Sequence, residues 1–340
     1  MPIAGDASAE KTPAVPVIRG AVSTVDRQKI MRTEFLNILL AAATMSGSEL
    51  AAATIRLTPV ADTSLYAGAA DNNMGGQEAI AVGGTATGVT FRGLLKFDVA
   101  DNLPAGAVIQ SVSLQLTVVK SSTTGVPSTF TVHRVLKNWG EGDKGLGITG
   151  IGALAGDGEA TWRARLHPAI LWGAAGGEPG VDFASAASGA TSEPVQSSGA
   201  ADFASTPDLI ADVRHWLAEP GDNFGWLLQS ESEATLFTSR RFGSSEGAEP
   251  PLLIIDAIVP PHIGLTSIAN GLFTLQFDGE AGKSYVVERR TQADSGEWTI
   301  VTNVPPLEIS GPVSVTDPLR SGNQFYRVGE LQSPGGRSGN

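Results

Sequence analysis

Residues 92–118 read RGLLKFDVADNLPAGAVIQSVSLQLTV, and this stretch decides the fold class. It divides into an apolar-alternating run, a Pro-Ala-Gly turn and a second alternating run. Leu95, Phe97 and Val99 share one face of the first run, against Leu94, Lys96 and Asp98 on the other. In the second run Val112, Leu114, Leu116 and Val118 lie opposite Ser113, Gln115 and Thr117. A period of two with one dry and one wet face predicts antiparallel strands covering a core.

The same pattern recurs on both sides. Strands are expected over 54–58, 78–82, 92–99, 108–118, 130–136, 225–229, 236–241 and 252–258, separated by Gly and Pro turns. One helix interrupts them. Thr206-Pro-Asp supplies a cap, a first-turn proline and an acid, and Leu209, Ile210, Val213, Trp216 and Leu217 form an apolar stripe that Pro220-Gly221 ends. This stripe puts Trp216 in the core and His215 on the wet side. Residues 137–204 form a long insert rich in Gly, Ala and Ser with no sustained period. The expected fold is all-β: a jelly-roll β-sandwich over 54–258 with one short helix and a long Gly-rich insert. Beyond Pro260-Pro261, six short strand candidates predict a small immunoglobulin-like or fibronectin III-like β-sandwich over 262–330, with Trp298 and Tyr326 as core aromatics. A Gly- and Ser-rich tail follows over 331–340.

Composition agrees. Charged residues are 17% of the 340, with 41 Gly and 20 Pro, which suits a turn-rich β protein and not a disordered chain. The lack of cysteine excludes disulfides, thiolate metal sites and a cysteine nucleophile. A net charge of −12 argues against nucleic acid as a partner. At the N-terminus, Arg27, Lys29 and Arg32 precede the apolar run from Phe35 to Met45, and Ala51-Ala52-Ala53 follows. That order predicts a leader and signal peptide over 1–53, a secreted or cell-surface address, and no membrane span after signal cleavage.

Ala61-Asp62-Thr63, Gly75-Gly76, Arg92-Gly-Leu-Leu-Lys-Phe-Asp98, Leu103-Pro-Ala-Gly-Ala-Val-Ile109, Asn138-Trp-Gly-Glu-Gly142, Asp212-Val-Arg-His-Trp-Leu217 and Arg241-Phe-Gly-Ser-Ser-Glu246 occur in order. In these motifs the chain resembles the DNRLRE-domain family of secreted bacterial and archaeal proteins. Tyr285-Val-Val-Glu288 and Gln324-Phe-Tyr-Arg-Val328 are similar to a module that ends many secreted proteins of polymer-degrading bacteria. The resemblance implies a jelly roll, an extracellular address and kinship with carbohydrate-binding modules, some attached to enzymes acting on alginate.

Catalytic patterns are sparse. Gly243-Ser-Ser-Glu-Gly247 lacks the helix that a nucleophile elbow needs, and Gly140-Glu-Gly-Asp-Lys-Gly145 lacks one for a pyrophosphate. Glu141 and Asp143 beside Trp139, with Asp157 and Glu159 beside Trp162, offer carboxylate pairs or simply solvated loop acids. Trp139, Trp162 and Trp172 either stack on sugar rings, with Arg163, Arg165 and His167 bonding hydroxyls or carboxylates, or pin the insert to the sandwich. Arg240, Arg241 and Glu246 suggest a charge-paired structural rim, and Asp62 and Asp98 are candidate ligands for a structural Ca²⁺, with no other cofactor expected. The leading expectation is a secreted non-catalytic protein that binds an extracellular polysaccharide or cell-surface component. A structural matrix or filament protein without a small ligand is the alternative, ahead of a polysaccharide-active enzyme.

Overall fold

The computed structural model describes residues 52–331, apart from Ala105, Thr123, Leu146, Ala293 and Asp294. The expected signal peptide and the tail lie outside the described residues, save at their edges. In the first unit, β1 (Ala52–Leu57), β2 (Ala61–Tyr66), β3 (Asn72–Asn73), β4 (Ala79–Gly84), β5 (Thr90–Lys96), β6 (Val108–Ser121) and β7 (Phe130–Arg134) come first. They are followed by β8 (Ala153–Leu154), β9 (Ala164–Leu166), β10 (Ile170–Leu171), β11 (Gly189–Ala190), β12 (Gly199–Phe203) and helix α1 (Pro207–Ala218). Strands β13 (Trp226–Ser230), β14 (Arg240–Gly243) and β15 (Leu252–Ile258) close the unit. Ala52 and Ala53, assigned to the leader by sequence, pair with Ile258 and Ala257, because β15 runs far enough to give them ladder partners.

The strands form an all-β sandwich. One side runs β1-β15-β6-β14-β4 with β12 also on β6, and the other runs β5-β13-β7-β11 with β2 on β5. Strand β4 joins the two. Ala79 to Val82 pair with β14, and Gly83 and Gly84 then pair with Phe91 and Thr90 of β5. The crossing point needs glycine: Gly83 has φ 105, and a Cβ there would sit 2.8 Å from the Thr238 carbonyl oxygen.

Leu95, Phe97, Val99, Val112, Leu114, Leu116 and Val118 all enter one core, as their alternation requires. Helix α1 closes one end of it. The Thr206 hydroxyl accepts the Leu209 N–H at 3.0 Å, and Leu209, Val213 and Trp216 are buried. Trp216 packs 4.6 Å from Trp226, which meets Phe97 edge-on at 6.1 Å. The Trp226 indole N–H donates to Asp212 at 2.7 Å, so this large aromatic is buried with its polar atom satisfied.

Three expectations about the sheet needed correction. The Leu94 face is not wet: Leu94, Leu65, Val135 and Leu227 lie under Ala160, Trp172 and Phe183 of the insert, in a second core layer. The insert also carries sheet strands, since β12 pairs with Leu114 to Val118 of β6 and β11 pairs with β7. Strands of two to five residues are too short for a period to register in sequence. The strand expected over 236–241 starts only at Arg240, because Phe237 takes a left-handed turn at φ 65.

The second unit contains β16 (Ile263–Ala269), β17 (Leu272–Gly279), β18 (Ser284–Arg290), β19 (Thr299–Val304), β20 (Gly311–Pro318) and β21 (Phe325–Leu331). They form two three-stranded sheets, β16-β17-β20 and β19-β18-β21. Phe273, Leu275, Phe277, Tyr285, Val287, Val315, Tyr326 and Val328 fill the core between them. Tyr326 is a core aromatic, but Trp298 is not. Its ring is half-buried outside that core, with the guanidinium groups of Arg290 and Arg327 over it at 4.5 and 4.2 Å. No described helix is long and apolar enough to cross a membrane.

Candidate functional site

The three insert tryptophans are built into the packing. Trp172 is only 5% exposed and its indole N–H donates to the Thr161 carbonyl at 2.9 Å, so no ring face is left for a sugar. Its expected role as a binding platform is corrected: it anchors the insert. Trp139 and Trp162 are half-buried against the same layer. The Trp139 indole N–H donates to the Phe224 carbonyl at 2.9 Å. Over Trp162 lies the Arg92 guanidinium at 5.6 Å, and a Cβ on Gly176 would come within 2.6 Å of the same indole. Arg163 is paired with Asp71 at 2.7 Å, and Arg165 donates to the Asn138 carbonyl at 2.9 Å. The cationic patch expected beside Trp162 is therefore partly neutralised.

The carboxylates hold loops together. Asp62, on β2, is buried and accepts the Ser245 N–H at 2.7 Å. Burial pushes its pKa up to about 7, helped by the nearby Glu246 and Glu141 and opposed by the Ser245 bonds. The backbone N–H of Asp62 donates to Glu141 at 2.6 Å, and burial raises the Glu141 pKa as well. Asp98 is elsewhere, accepting the Asp101 N–H at 3.2 Å in the turn after β5, so the two candidate calcium ligands are not brought together. Lys144 bridges Asp143 and Glu159, with Glu159 at 3.0 Å. The rim expected at Arg240, Arg241 and Glu246 is also corrected. Arg240 is fully buried and donates to the carbonyls of Phe237, Ser239, Val126 and Val195, while Arg241 lies over Phe91 at 5.8 Å. Glu246 takes the Ser245 hydroxyl at 2.9 Å and pairs with neither arginine among the described contacts. Buried backbone acceptors, not acids, neutralise the cost of placing Arg240 inside.

An open cavity of about 260 Å³ remains, lined by Arg134, Val135, Leu136, His215, Asp222 and Phe224. Each wall has a structural origin. Strand β7 delivers Arg134 at its end, where Asp212 of α1 holds the guanidinium at 3.5 Å. His215 lies on the polar side of the last helical turn, next to buried Trp216. The short turn Pro220–Asp222 returns the chain so that Asp222 comes within 3.7 Å of His215 Nε2. Phe224 is fixed from behind, since its carbonyl carries the Trp139 indole bond. An aromatic wall with a cation, an imidazole and a carboxylate around one opening suits a polar ring that is flat on one side. Its size falls just below the ~300–1,000 Å³ of drug-sized pockets, which fits one ring and not a chain. None of these lining residues was among the site residues expected from sequence; Trp139, which was, reaches the cavity wall only through its bond to the Phe224 carbonyl. Arg134 and His215 were legible as polar positions on a strand and a helix, but nothing local joined them.

Residues 53–143 match the model of carbohydrate-binding module family 96. The chain thus contains a carbohydrate-binding-module-like domain. The matched family 96 stretch supplies β2, β5, β6 and β7, and with them Asp62, Arg134, Trp139 and Glu141. Most of the insert, helix α1 and the small sandwich lie beyond it. No curated protein matches the chain. Among solved structures, the chain is similar to a beta-1,2-glucanase from Parabacteroides distasonis at 10% identity and a TM-score of 0.15, covering 88% of this chain and 38% of that one. The chain therefore spans well under half the length of that enzyme.

Proposed function

We propose that this protein is a secreted, non-catalytic glycan-binding protein that attaches to an extracellular polysaccharide or cell-surface component. The family 96 match over residues 53–143 is the observation that carries this reading. The ring-sized cavity at Arg134, His215, Asp222 and Phe224 is its glycan subsite. Arg134 and Asp222 bond sugar hydroxyls there, and Phe224 meets the C–H face of the ring. The bonds made by the carboxylates with raised pKa support a non-catalytic reading: Asp62 accepts from Ser245, Glu141 accepts from the Asp62 backbone, and Asp212 is held by Trp226 and Arg134. Secretion rests on the basic, apolar and Ala-x-Ala order near residue 53. The DNRLRE-like motifs and the small C-terminal sandwich agree with that address.

A glycan array probed with the full chain tests the proposal. Retention on at least one polysaccharide is expected, without release of shorter chains. Asp222→Asn combined with His215→Ala should weaken that retention by about tenfold or more while leaving the melting temperature unchanged, because both side chains are substantially exposed. Retention on no glycan, or retention indifferent to this pair, would remove the proposal or its site respectively.

A further inference from the structure

The small sandwich has a cavity of its own, and its chemistry differs from that of the first unit. It measures about 590 Å³, and Arg289, Arg290, Glu297, Thr299, Arg320 and Gln324 line it. In a chain of net charge −12 this is a concentration of positive charge. Residues 262–331 contain five basic side chains, Lys283, Arg289, Arg290, Arg320 and Arg327, and three of them face this one opening.

The arginines are held in place by the fold. Arg289 is tethered by Asp317 at 3.4 Å, and Asp317 in turn accepts the Tyr326 hydroxyl at 2.9 Å. Arg290 lies over the Trp298 ring at 4.5 Å, which fixes its guanidinium beside the opening. Arg327 packs over the same ring at 4.2 Å and is anchored by Glu288 at 2.7 Å. Arg320 is exposed and makes no ion pair among the described residues. The lining also holds polar groups that a bare anion does not need. Gln324 Oε1 is buried with no hydrogen-bond partner among the described residues, and Thr299 and Glu297 add a hydroxyl and a carboxylate. A buried amide oxygen without a donor is costly, and a ligand hydroxyl relieves it.

We infer that this cavity is a second binding site, separate from the one in the first sandwich, for a sugar carrying a carboxylate or sulfate group. The guanidinium groups take the anion, and Gln324, Thr299 and Glu297 take the hydroxyls of the ring that carries it. Nucleic acid fits less well, because the Trp298 ring already has Arg290 and Arg327 over it and offers no aromatic face to a base.

Titration calorimetry of the full chain in dilute salt tests this with four probes: oligogalacturonate, a sulfated dextran, neutral dextran and a single-stranded DNA oligomer. Binding of the uronate or the sulfated polymer is expected, and which of the two binds identifies the anion. Arg320→Ala should weaken that binding by about tenfold or more without shifting the melting temperature, and Gln324→Leu should weaken it at unchanged charge. The His215→Ala, Asp222→Asn chain serves as the control and should bind the acidic probe as the parent does, so failure of the first-sandwich subsite leaves this result readable. No acidic probe binding, DNA binding as strong as either, or affinity unchanged in both Arg320→Ala and Gln324→Leu would overturn the inference.

Discussion

The two sandwiches use tryptophan in opposite ways. In the first, Trp216 and Trp226 are fully buried and Trp172 nearly so, and the sheet is dry on both faces where the insert covers it. In the second, the core is built from Phe and Tyr, and Trp298 sits outside it under two arginines. A fully covered indole contributes buried area, whereas a half-buried one also carries guanidinium groups, two on Trp298 and, in the first unit, Arg92 on Trp162. The two proposed sites follow the same division, a small cavity at a layer edge in the first unit and a charged cavity beside an aromatic brace in the second.

Replacing a buried indole should separate the two cases most strongly. Trp226→Ala removes the ring between Trp216 and Phe97 and one of the donors to Asp212, so urea denaturation should show a loss of about 3–5 kcal/mol. A loss below about 1 kcal/mol would mean the first core tolerates the cavity and the contrast is false.

The next effect concerns pH. Burial lifts the folded Asp62 pKa from its ordinary 3.8 to about 7, so between about pH 4 and 7 the folded state binds more protons than the unfolded one. Its contribution is greatest below pH 4 and is lost as the pH rises to 7, by an amount of order 4 kcal/mol. Asp62→Asn keeps an acceptor for the Ser245 N–H but cannot ionise. Melting temperatures from pH 4 to 8 should fall less steeply in this variant than in the parent. Parallel curves would show that Asp62 does not titrate in that range.

Trp162→Ala probes the layer between the insert and the sheet, where the ring is only half-buried. A cost of about 2–3 kcal/mol is expected, less than for Trp226, along with faster proteolysis within residues 137–204. Weakened glycan retention at unchanged stability would instead return the insert to the role of a binding platform. Trp298→Ala should have the smallest effect on folding, about 1–2 kcal/mol from lost cation–π contacts, while weakening the acidic ligand by freeing Arg290. A cost as large as that of Trp226→Ala would make Trp298 a core residue after all.

Much of the frame was readable in the chain. The alternation over 92–118 specified a hairpin and its inward face, because a period of two leaves only two sides for a side chain to take. Thr206-Pro-Asp and the stripe through Trp216 specified helix α1, since capping and a 3.6-residue period are local properties. Tertiary structure decided the rest. Leu94 reads as a wet-face residue until residues from the insert, far along the chain, cover it. Asp62 and Ser64 in β2 are polar by sequence yet buried, because their partners come from remote strands and turns. The candidate sites share this origin. Arg134 meets His215 and Asp222, and Arg289 meets Arg320, only once separate strands and turns are brought together. Periodicity records which side of an element faces inward, but the neighbour across that side is fixed by packing alone.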